Sequence, residues 1–309
     1  MSGYSKILKK PGQGVVLSGG GFALAALITG ALATGFTPIF VRLSELQPSA
    51  TAFWRIALAL PVFWLWGYFE RRSSAPSRHP TSTANIRLIF LVGLFFAGDM
   101  ILFNWAVQFT AVANASLLSN CAPIFVTLVS WLFLRQRVSP LFLTGLLTAL
   151  AGATLLIGNS LNLSLQNFFG DFLGILTAMF YAGYILAVKY LRDDFSAAMI
   201  MIWSGLVMCL FILIIALLSG ESLIPITLKG WAAVLGLALV SQIAGQGLIV
   251  YGLAHLPPSF SSVTLLVQPV TATLLGWLIL SETINLWQGL GGVIVLAGIY
   301  VARRGSRSS

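Results

Sequence analysis

Hydrophobic residues run along this chain in long blocks, which are separated by charges, by Pro and Gly, or by Ser and Asn clusters. Each block is about 20 residues long, the length at which an α-helix crosses the hydrocarbon core of a bilayer. The pattern predicts an all-α integral membrane protein. Its ten predicted spans lie near residues 19–43, 48–69, 86–108, 110–134, 138–158, 170–191, 196–219, 229–254, 257–280 and 284–303.

Composition excludes a water-soluble protein. Of the 309 residues, 58% are hydrophobic and 8% are charged, against about 25% charged in soluble domains. The net charge of +9 is spread between apolar spans, which favours a membrane topology signal over nucleic-acid binding. Cys121 and Cys209 lie within apolar runs, and His79 and His255 are the two histidines, so neither a disulfide framework nor a metal site is predicted. The lipid bilayer is an expected partner, and no nucleic acid, cofactor or protein partner is.

Lys and Arg predict the orientation, because they are retained on the cytoplasmic side of short loops. With ten spans, Arg42 and Lys229 fall on one side of the membrane and Arg55 lies inside the second span. The other side, which carries both termini, has Lys6, Lys9, Lys10, Arg71, Arg72, Arg78, Arg87, Arg135, Arg137, Lys189, Arg192, Arg303, Arg304 and Arg307. We therefore expect a cytoplasmic N-terminal tail at 1–18, an extracytoplasmic linker at 159–169 and a cytoplasmic C-terminal tail at 304–309. The first span is expected to be a retained helix, since it is too long for a signal peptide.

The chain repeats itself at an offset of 146 residues. The offset aligns Pro123 with Pro269 and Trp131 with Trp277, and it aligns Leu150-Ala151-Gly152 with Leu296-Ala297-Gly298. Residues 19–158 and 170–303 each contain five predicted spans. Because five is odd, the second copy crosses the membrane in the opposite sense, which predicts an inverted-topology repeat of the kind found in secondary transporters.

Several features together resemble a known family: the five-plus-five organisation, Arg55 near the start of the second span, a Pro…Trp-Leu segment in the fourth and ninth spans, and the sequence at 282–289 that leads into Leu296-Ala297-Gly298. The chain resembles the EamA family of the drug/metabolite transporter superfamily over nearly its whole length, and within it the YddG-type amino-acid exporters. Glu282 of the closing segment is a candidate for a charge role. The first copy has Gln136 at the equivalent position, so an acid there does not serve both halves.

Polar side chains inside the spans predict the transport pathway, because such groups are costly in hydrocarbon unless they face partners or water. Four helix faces are expected to converge on a central cavity. Ser119 and Asn120 mark the fourth span, and Gln268 marks the ninth. The remaining candidates for substrate binding are Asp99, Trp105, Tyr181, Tyr184, Gln242, Gln246 and Tyr251. The alternative for the Ser and Thr residues on these faces, which include Thr127, Ser130 and Ser261, is interhelical hydrogen bonding.

Two charged residues and two prolines have further candidate roles. Asp99 either carries a coupling proton, binds an ammonium group, or is a hydrogen-bonded structural acid. Arg55 either binds a carboxylate, forms a structural pair, or snorkels outward. Pro123 and Pro269 free the carbonyls of the residues four positions earlier, which favours paired hinges over static kinks.

These patterns predict a secondary transporter that exports neutral or aromatic amino acids, or similar small metabolites, across the bacterial inner (cytoplasmic) membrane by alternating access. The alternatives of the same fold are a translocator of nucleotide sugars, phosphorylated metabolites or drugs. A channel also stays open. An intramembrane enzyme would need a second acid beside Asp99, a Ser with a base, or a metal cluster, so no catalytic residue is assigned.

Overall fold

A computed structural model describes residues 20–73, 83–110, 112–157, 168–281 and 284–307. Helices make up nearly all of the described chain, and several spans are divided into two shorter helices. In chain order they are α1 (Gly20–Thr34), α2 (Thr37–Leu43), α3 (Pro48–Ala57), α4 (Ala59–Ser73), α5 (Thr83–Phe109), α6 (Val112–Ser119), α7 (Ala122–Leu132), α8 (Pro140–Ile157), α9 (Phe168–Leu191), α10 (Ala197–Leu218), α11 (Leu228–Gly236), a π-helical segment (Leu237–Gln246), α12 (Gly247–His255), α13 (Pro258–Thr264), α14 (Val267–Leu280) and α15 (Leu286–Arg307).

Ten crossings are confirmed. Within the described residues, nine helices or helix pairs are long and apolar enough to span a membrane, and the apolar helix α8 forms the remaining crossing. The predicted ends agree with the observed ones to within a few residues; the largest differences are at α4, which continues to Ser73 beyond the predicted end at 69, and at α15, which continues to Arg307 beyond 303. Large apolar side chains such as Phe133, Leu218 and Trp277 are exposed on the outer surface, as expected for a surface that faces lipid.

Helices α9 and α10 supply many of the buried core residues. Ile185 and Val188 of α9, together with Ile200 of α10, are fully buried. Helix α9 packs against α5, α6 and α7 from the first half and against α12 and α13 from the second. Helix α9 of the second half is therefore one of the elements that join the two halves.

The fifth and tenth crossings, α8 and α15, pack antiparallel through Gly145, Gly152, Gly291 and Gly298. A methyl group added at Gly152 would lie 2.8 Å from the carbonyl oxygen of Gly291, and one added at Gly291 would lie 2.7 Å from that of Gly152. Gly145 faces Ala302, and Gly291 faces Leu156. The 146-residue offset converts one of these two pairs into the other. The internal repeat therefore maps the interface between α8 and α15 onto itself.

Two further features follow the repeat, the first at the same offset and the second to within one residue of it. Arg135 and Ser281 are the two described non-glycine residues with positive φ, at 50° and 56°, and each follows the second helix of its crossing. The fourth crossing breaks between Ser119 and Ala122, and the ninth breaks between Thr264 and Val267. Together with the antiparallel packing of α8 and α15, this symmetry establishes two inverted five-helix repeats.

The two membrane surfaces are distinguished by which helix ends they carry. Ser139 Oγ donates to Gly305 O at 2.8 Å, so the start of α8 lies beside the end of α15. We call this surface the C-terminal side. The loops 44–47 and 219–227 lie on the opposite side, where Glu45 Oε2 accepts hydrogen bonds of 3.1 Å from the backbone N–H groups of Ile226 and Thr227.

A second carboxylate on the opposite side makes the reciprocal contact. Glu45 lies before α3 and binds the N-terminus of α11, where the Thr227 hydroxyl also donates to it. Glu221 lies before α11 and accepts from Ala50 N, in the first turn of α3, at 2.7 Å. Helix N-termini carry unsatisfied N–H groups and a positive partial charge, so each acid is well placed. The contacts of Glu45 and Glu221, which we call the acid clasp, join the two repeats.

Candidate functional site

A cavity of about 750 Å³ lies between the two repeats. It extends from Arg42, Pro48 and Gln288, at the opposite side, inward to Ile185 and Gln246. Its lining is mostly apolar, with polar side chains from both repeats. These are Thr34, Thr37, Arg42, Thr51, Arg55, Asp99, Asn104, Ser116, Ser119, Asn120, Thr177, Tyr181, Gln246, Ser262, Gln268, Thr273 and Gln288. The cavity is therefore open toward the opposite side of the membrane.

Arg55 lies in the last turn of α3 and lines the cavity although its side chain is 6% exposed. Its Nε donates to Gln242 Oε1 at 2.8 Å, and its guanidinium carbon lies 6.0 Å from the centre of the Phe96 ring. The predicted alternative in which Arg55 snorkels to the surface is therefore wrong. With Nε bound to Gln242, the terminal guanidinium nitrogens are the donors left for the cavity.

Asp99 lies on α5 and lines the same cavity as Arg55. Arg55 is buried and Asp99 is half-buried, and the two side chains interact electrostatically with each other. A carboxylate and a guanidinium that line one cavity, each with capacity for further hydrogen bonds, suit a ligand that carries both charges.

The helix breaks contribute the next part of the site. Ser119 and Asn120 at the first break line the cavity, as do Leu265 and Leu266 at the second. Asn120 Nδ2 donates to Ser116 O at 2.8 Å. Pro123 and Pro269 also line the cavity, and each lies in the first turn of the helix that follows its break, where a missing N–H costs nothing.

Aromatic rings form the inner wall. Tyr181 lines the cavity and hydrogen-bonds to Gln268. Tyr184 is 1% exposed and stacks on Phe96 with ring centres 4.6 Å apart, so it supports the wall from behind. Gln246, at the end of the π-helical segment, is 3% exposed, and its Oε1 has no hydrogen-bond partner among the described residues.

Four predicted site residues do not line the cavity. Gln242 and Tyr184 lie directly behind it, in contact with Arg55 and Phe96. Trp105 is 49% exposed and lies outside the cavity lining. Tyr251, the repeat mate of Trp105, packs against Phe22 with ring centres 5.8 Å apart. Glu282, the remaining predicted charge, lies outside the described residues.

Sequence reasoning missed other lining residues. Asn104 lies five positions after Asp99 on α5 and lines the cavity. Its signal was present in the sequence, since an amide inside an apolar span is costly. Thr34 and Thr51 also line the cavity, but a threonine in a membrane helix satisfies its own hydroxyl on the preceding turn, so its presence indicates little.

The cavity does not reach the C-terminal side, where the ends of α9 and α12 are joined. Lys189 Nζ donates to Ala254 O at 2.8 Å, and Arg192 Nη1 donates to Phe195 O at 2.6 Å. No described residue beyond Ile185 on α9 contributes to the lining. The structure thus shows one open half and one closed half.

Comparison with known proteins identifies the class. The sequence model of the EamA-like transporter family matches residues 21–158 and 168–304, and the chain belongs to this family. A solved crystal structure shares the fold with a TM-score of 0.80 at 18% identity, covering 93% of this chain and 98% of that one.

Relatives of known name are transporters. The chain is 26% identical over 273 residues to an uncharacterized transporter of Archaeoglobus fulgidus, covering 87% of this chain and 92% of the relative. It is 26% identical over 223 residues to the pseudopaline exporter CntI of Pseudomonas aeruginosa, covering 72% and 77%. It is also 28% identical to the uncharacterized transporter YetK of Bacillus subtilis, covering 68% and 64%. The protein is therefore a multi-pass membrane transporter.

Proposed function

We propose that this transporter exports neutral and aromatic amino acids, or similar small zwitterionic metabolites, by alternating access between its two repeats. The observation that carries the proposal is the pair Arg55 and Asp99, which place opposite charges in one cavity. The guanidinium binds a carboxylate and the Asp99 carboxylate binds an ammonium group. Phe96 and Tyr181 offer apolar faces to a side chain.

Amides complete the proposed site. Asn104, Asn120, Gln246 and Gln268 line the cavity and provide both donors and acceptors. A phosphorylated substrate carries about two negative charges, whereas the described lining provides Arg55 deep in the cavity and Arg42 at its mouth. The acid at Asp99 opposes a phosphate in the deep part. The composition of the site therefore favours a zwitterion over a nucleotide sugar or a sugar phosphate.

Counterflow in proteoliposomes tests the substrate. Vesicles loaded with an unlabelled neutral or aromatic amino acid are expected to accumulate the labelled compound transiently, whereas vesicles loaded with sugar phosphates or nucleotides are not. Counterflow of a phosphorylated compound in the absence of any amino-acid exchange would contradict the proposal. Free passage without counterflow would indicate a channel.

Asp99→Asn distinguishes binding from proton coupling at this acid. If Asp99 binds the ammonium group, the isosteric variant is expected to raise KM for amino acids while leaving 2-hydroxy acids, which lack that group, less affected. If it carries a coupling proton, the variant instead loses the pH dependence of exchange. An unchanged KM together with an unchanged pH profile would exclude both roles.

We further propose that both termini are cytoplasmic in a bacterial inner membrane, on the strength of the Lys and Arg distribution. The cavity then opens to the outside. In a chain with Cys121 and Cys209 replaced by Ser, Ser306→Cys is expected to react with an impermeant reagent from the cytoplasm and Ser222→Cys from outside. The reverse result would invert the topology and place the open half of the cavity toward the cytoplasm.

A further inference from the structure

Four buried hydroxyl groups lie between the end of the cavity and the C-terminal side. They belong to Thr127 and Ser130 on α7 and to Ser259 and Ser261 on α13. Each residue is at most 7% exposed, and none of the four oxygens has a hydrogen-bond partner in the described parts of the chain. Helix α7 packs against α13. We call these four residues the hydroxyl seam.

Burying these four hydroxyls costs free energy that an apolar contact between the same helices would not. A buried hydroxyl without a partner loses its hydrogen bonds to water and gains none in return. Ser and Thr in membrane helices ordinarily donate to the carbonyl of the preceding turn, as Thr264 does to Phe260 O at 3.0 Å and Ser204 does to Ile200 O at 2.6 Å. A permanent seal made of Ala or Val would avoid the cost.

The internal repeat indicates when the two α7 hydroxyls, those of Thr127 and Ser130, are satisfied. At the 146-residue offset, Thr127 and Ser130 correspond to Thr273 and Gly276 of α14. Thr273 and Gly276 line the cavity, whereas Thr127 and Ser130 are buried between the cavity and the C-terminal side. In an inverted repeat the two halves exchange conformations when access alternates, so the residues of α7 take the position now held by those of α14.

We propose that the hydroxyl seam lies in the closed half of the transport pathway, and that the hydroxyl groups of Thr127 and Ser130 bind water and the passing polar substrate when the C-terminal side opens. This inference rests on the proposed alternating access. In the open state these two oxygens regain hydrogen bonds, which lowers the free energy of that state relative to the closed one. The seam thus biases the protein toward opening on the side that is closed in this structure.

Cysteine accessibility tests the placement. In the Cys121→Ser, Cys209→Ser background, Ser130→Cys and Thr127→Cys are expected to react with an impermeant thiosulfonate added from the C-terminal side. Thr273→Cys is expected to react from the opposite side. Ser204→Cys is the matched control, since it replaces a serine that is 2% exposed and lies outside the cavity lining, and it should react from neither. Seam cysteines that react from neither side in protein that exchanges amino acids, or that react from the opposite side, overturn the inference.

A second variant tests the energetic bias. Ser130→Ala removes an unpaired hydroxyl, so it is expected to raise the thermal midpoint of the closed state and to slow exchange about fivefold. Ser204→Ala removes a satisfied hydroxyl and should do neither. A hydroxyl with a purely structural role would leave exchange unchanged in Ser130→Ala, and that result contradicts the proposal.

The two proposals fail in different ways. If no amino acid undergoes counterflow but Ser130→Cys still reacts from the C-terminal side, the proposed substrate is wrong and the seam remains a pathway. If amino acids are exchanged while both seam cysteines react no faster than Ser204→Cys, the substrate stands and the seam is excluded from the pathway.

Discussion

Arg55 and Gln242 lie 187 positions apart in the chain, yet Gln242 Oε1 accepts a 2.8 Å hydrogen bond from Arg55 Nε. The amide fixes one edge of a buried guanidinium and comes from the other repeat. Gln242 was predicted to touch the substrate. Its place behind Arg55 supports a positioning role instead.

Gln242→Leu is expected to raise KM about tenfold for amino acids, because the buried Nε–H loses its acceptor and the guanidinium loses its orientation. KM for amino-acid amides, which lack the carboxylate, should change less. Gln108→Leu replaces an exposed amide and is the matched control. An equal rise in KM for amino acids and for their amides would show that Gln242 affects only the stability of the protein.

Gly291→Ala is expected to destabilise the protein by about 1–3 kcal/mol, the usual cost of overpacking a tight contact. The added methyl would lie 2.7 Å from Gly152 O, whereas one at Gly289 would meet no described atom within 4 Å. Thermal unfolding in detergent of Gly291→Ala and Gly289→Ala gives the comparison. Similar thermal midpoints for the two variants would show that the interface between α8 and α15 shifts to accommodate the added methyl group.

The acid clasp predicts a pH-dependent stability. Hydrogen bonds from Thr227 and Ile226 lower the pKa of Glu45, so its contribution is complete above the ordinary glutamate pKa and is lost as the pH falls through the lowered value. Glu45→Gln should therefore reduce the thermal midpoint at pH 7, and the difference from wild type should vanish in strong acid. In a Thr227→Val background the Glu45→Gln effect at pH 7 should shrink, since the two residues are coupled. A difference that is constant with pH would contradict a role for the carboxylate charge.

Pro123→Ala and Pro269→Ala test the two breaks as hinges. Each variant is expected to slow exchange about tenfold while changing KM less, because alanine restores helix propensity across the break without removing a polar contact. Pro140→Ala, at the first position of α8, is the control. Unchanged exchange in both break variants would show that the hinges lie elsewhere.

Much of the fold could be predicted because membrane helices are coded locally. The length of each apolar run predicted the spans, and the repeat predicted the breaks next to Pro123 and Pro269. These features require no knowledge of which helices are neighbours.

The site could be predicted only in part, because cavity lining depends on helix rotation. Trp105 and Asn104 are adjacent in sequence, yet Asn104 lines the cavity and Trp105 is exposed. The π-helical turn at Leu237–Gln246 has no evident sequence signal, and it changes the direction of every side chain that follows. Tyr251 lies beyond that turn, so its direction could not be obtained from ordinary helical spacing.

The interface between α8 and α15 has a consequence for how such a two-repeat chain can evolve. Since the pair Gly145 with Ala302 and the pair Gly291 with Leu156 are exchanged by the repeat, each five-helix half carries on a single helix a surface that fits a second copy of itself. Self-complementary surfaces of this kind are what hold twofold dimers together. A protein made of one half, inserted into the membrane in both orientations, would already form this contact between two copies. Fusion of two copies of its gene would then only have to connect subunits that were able to associate.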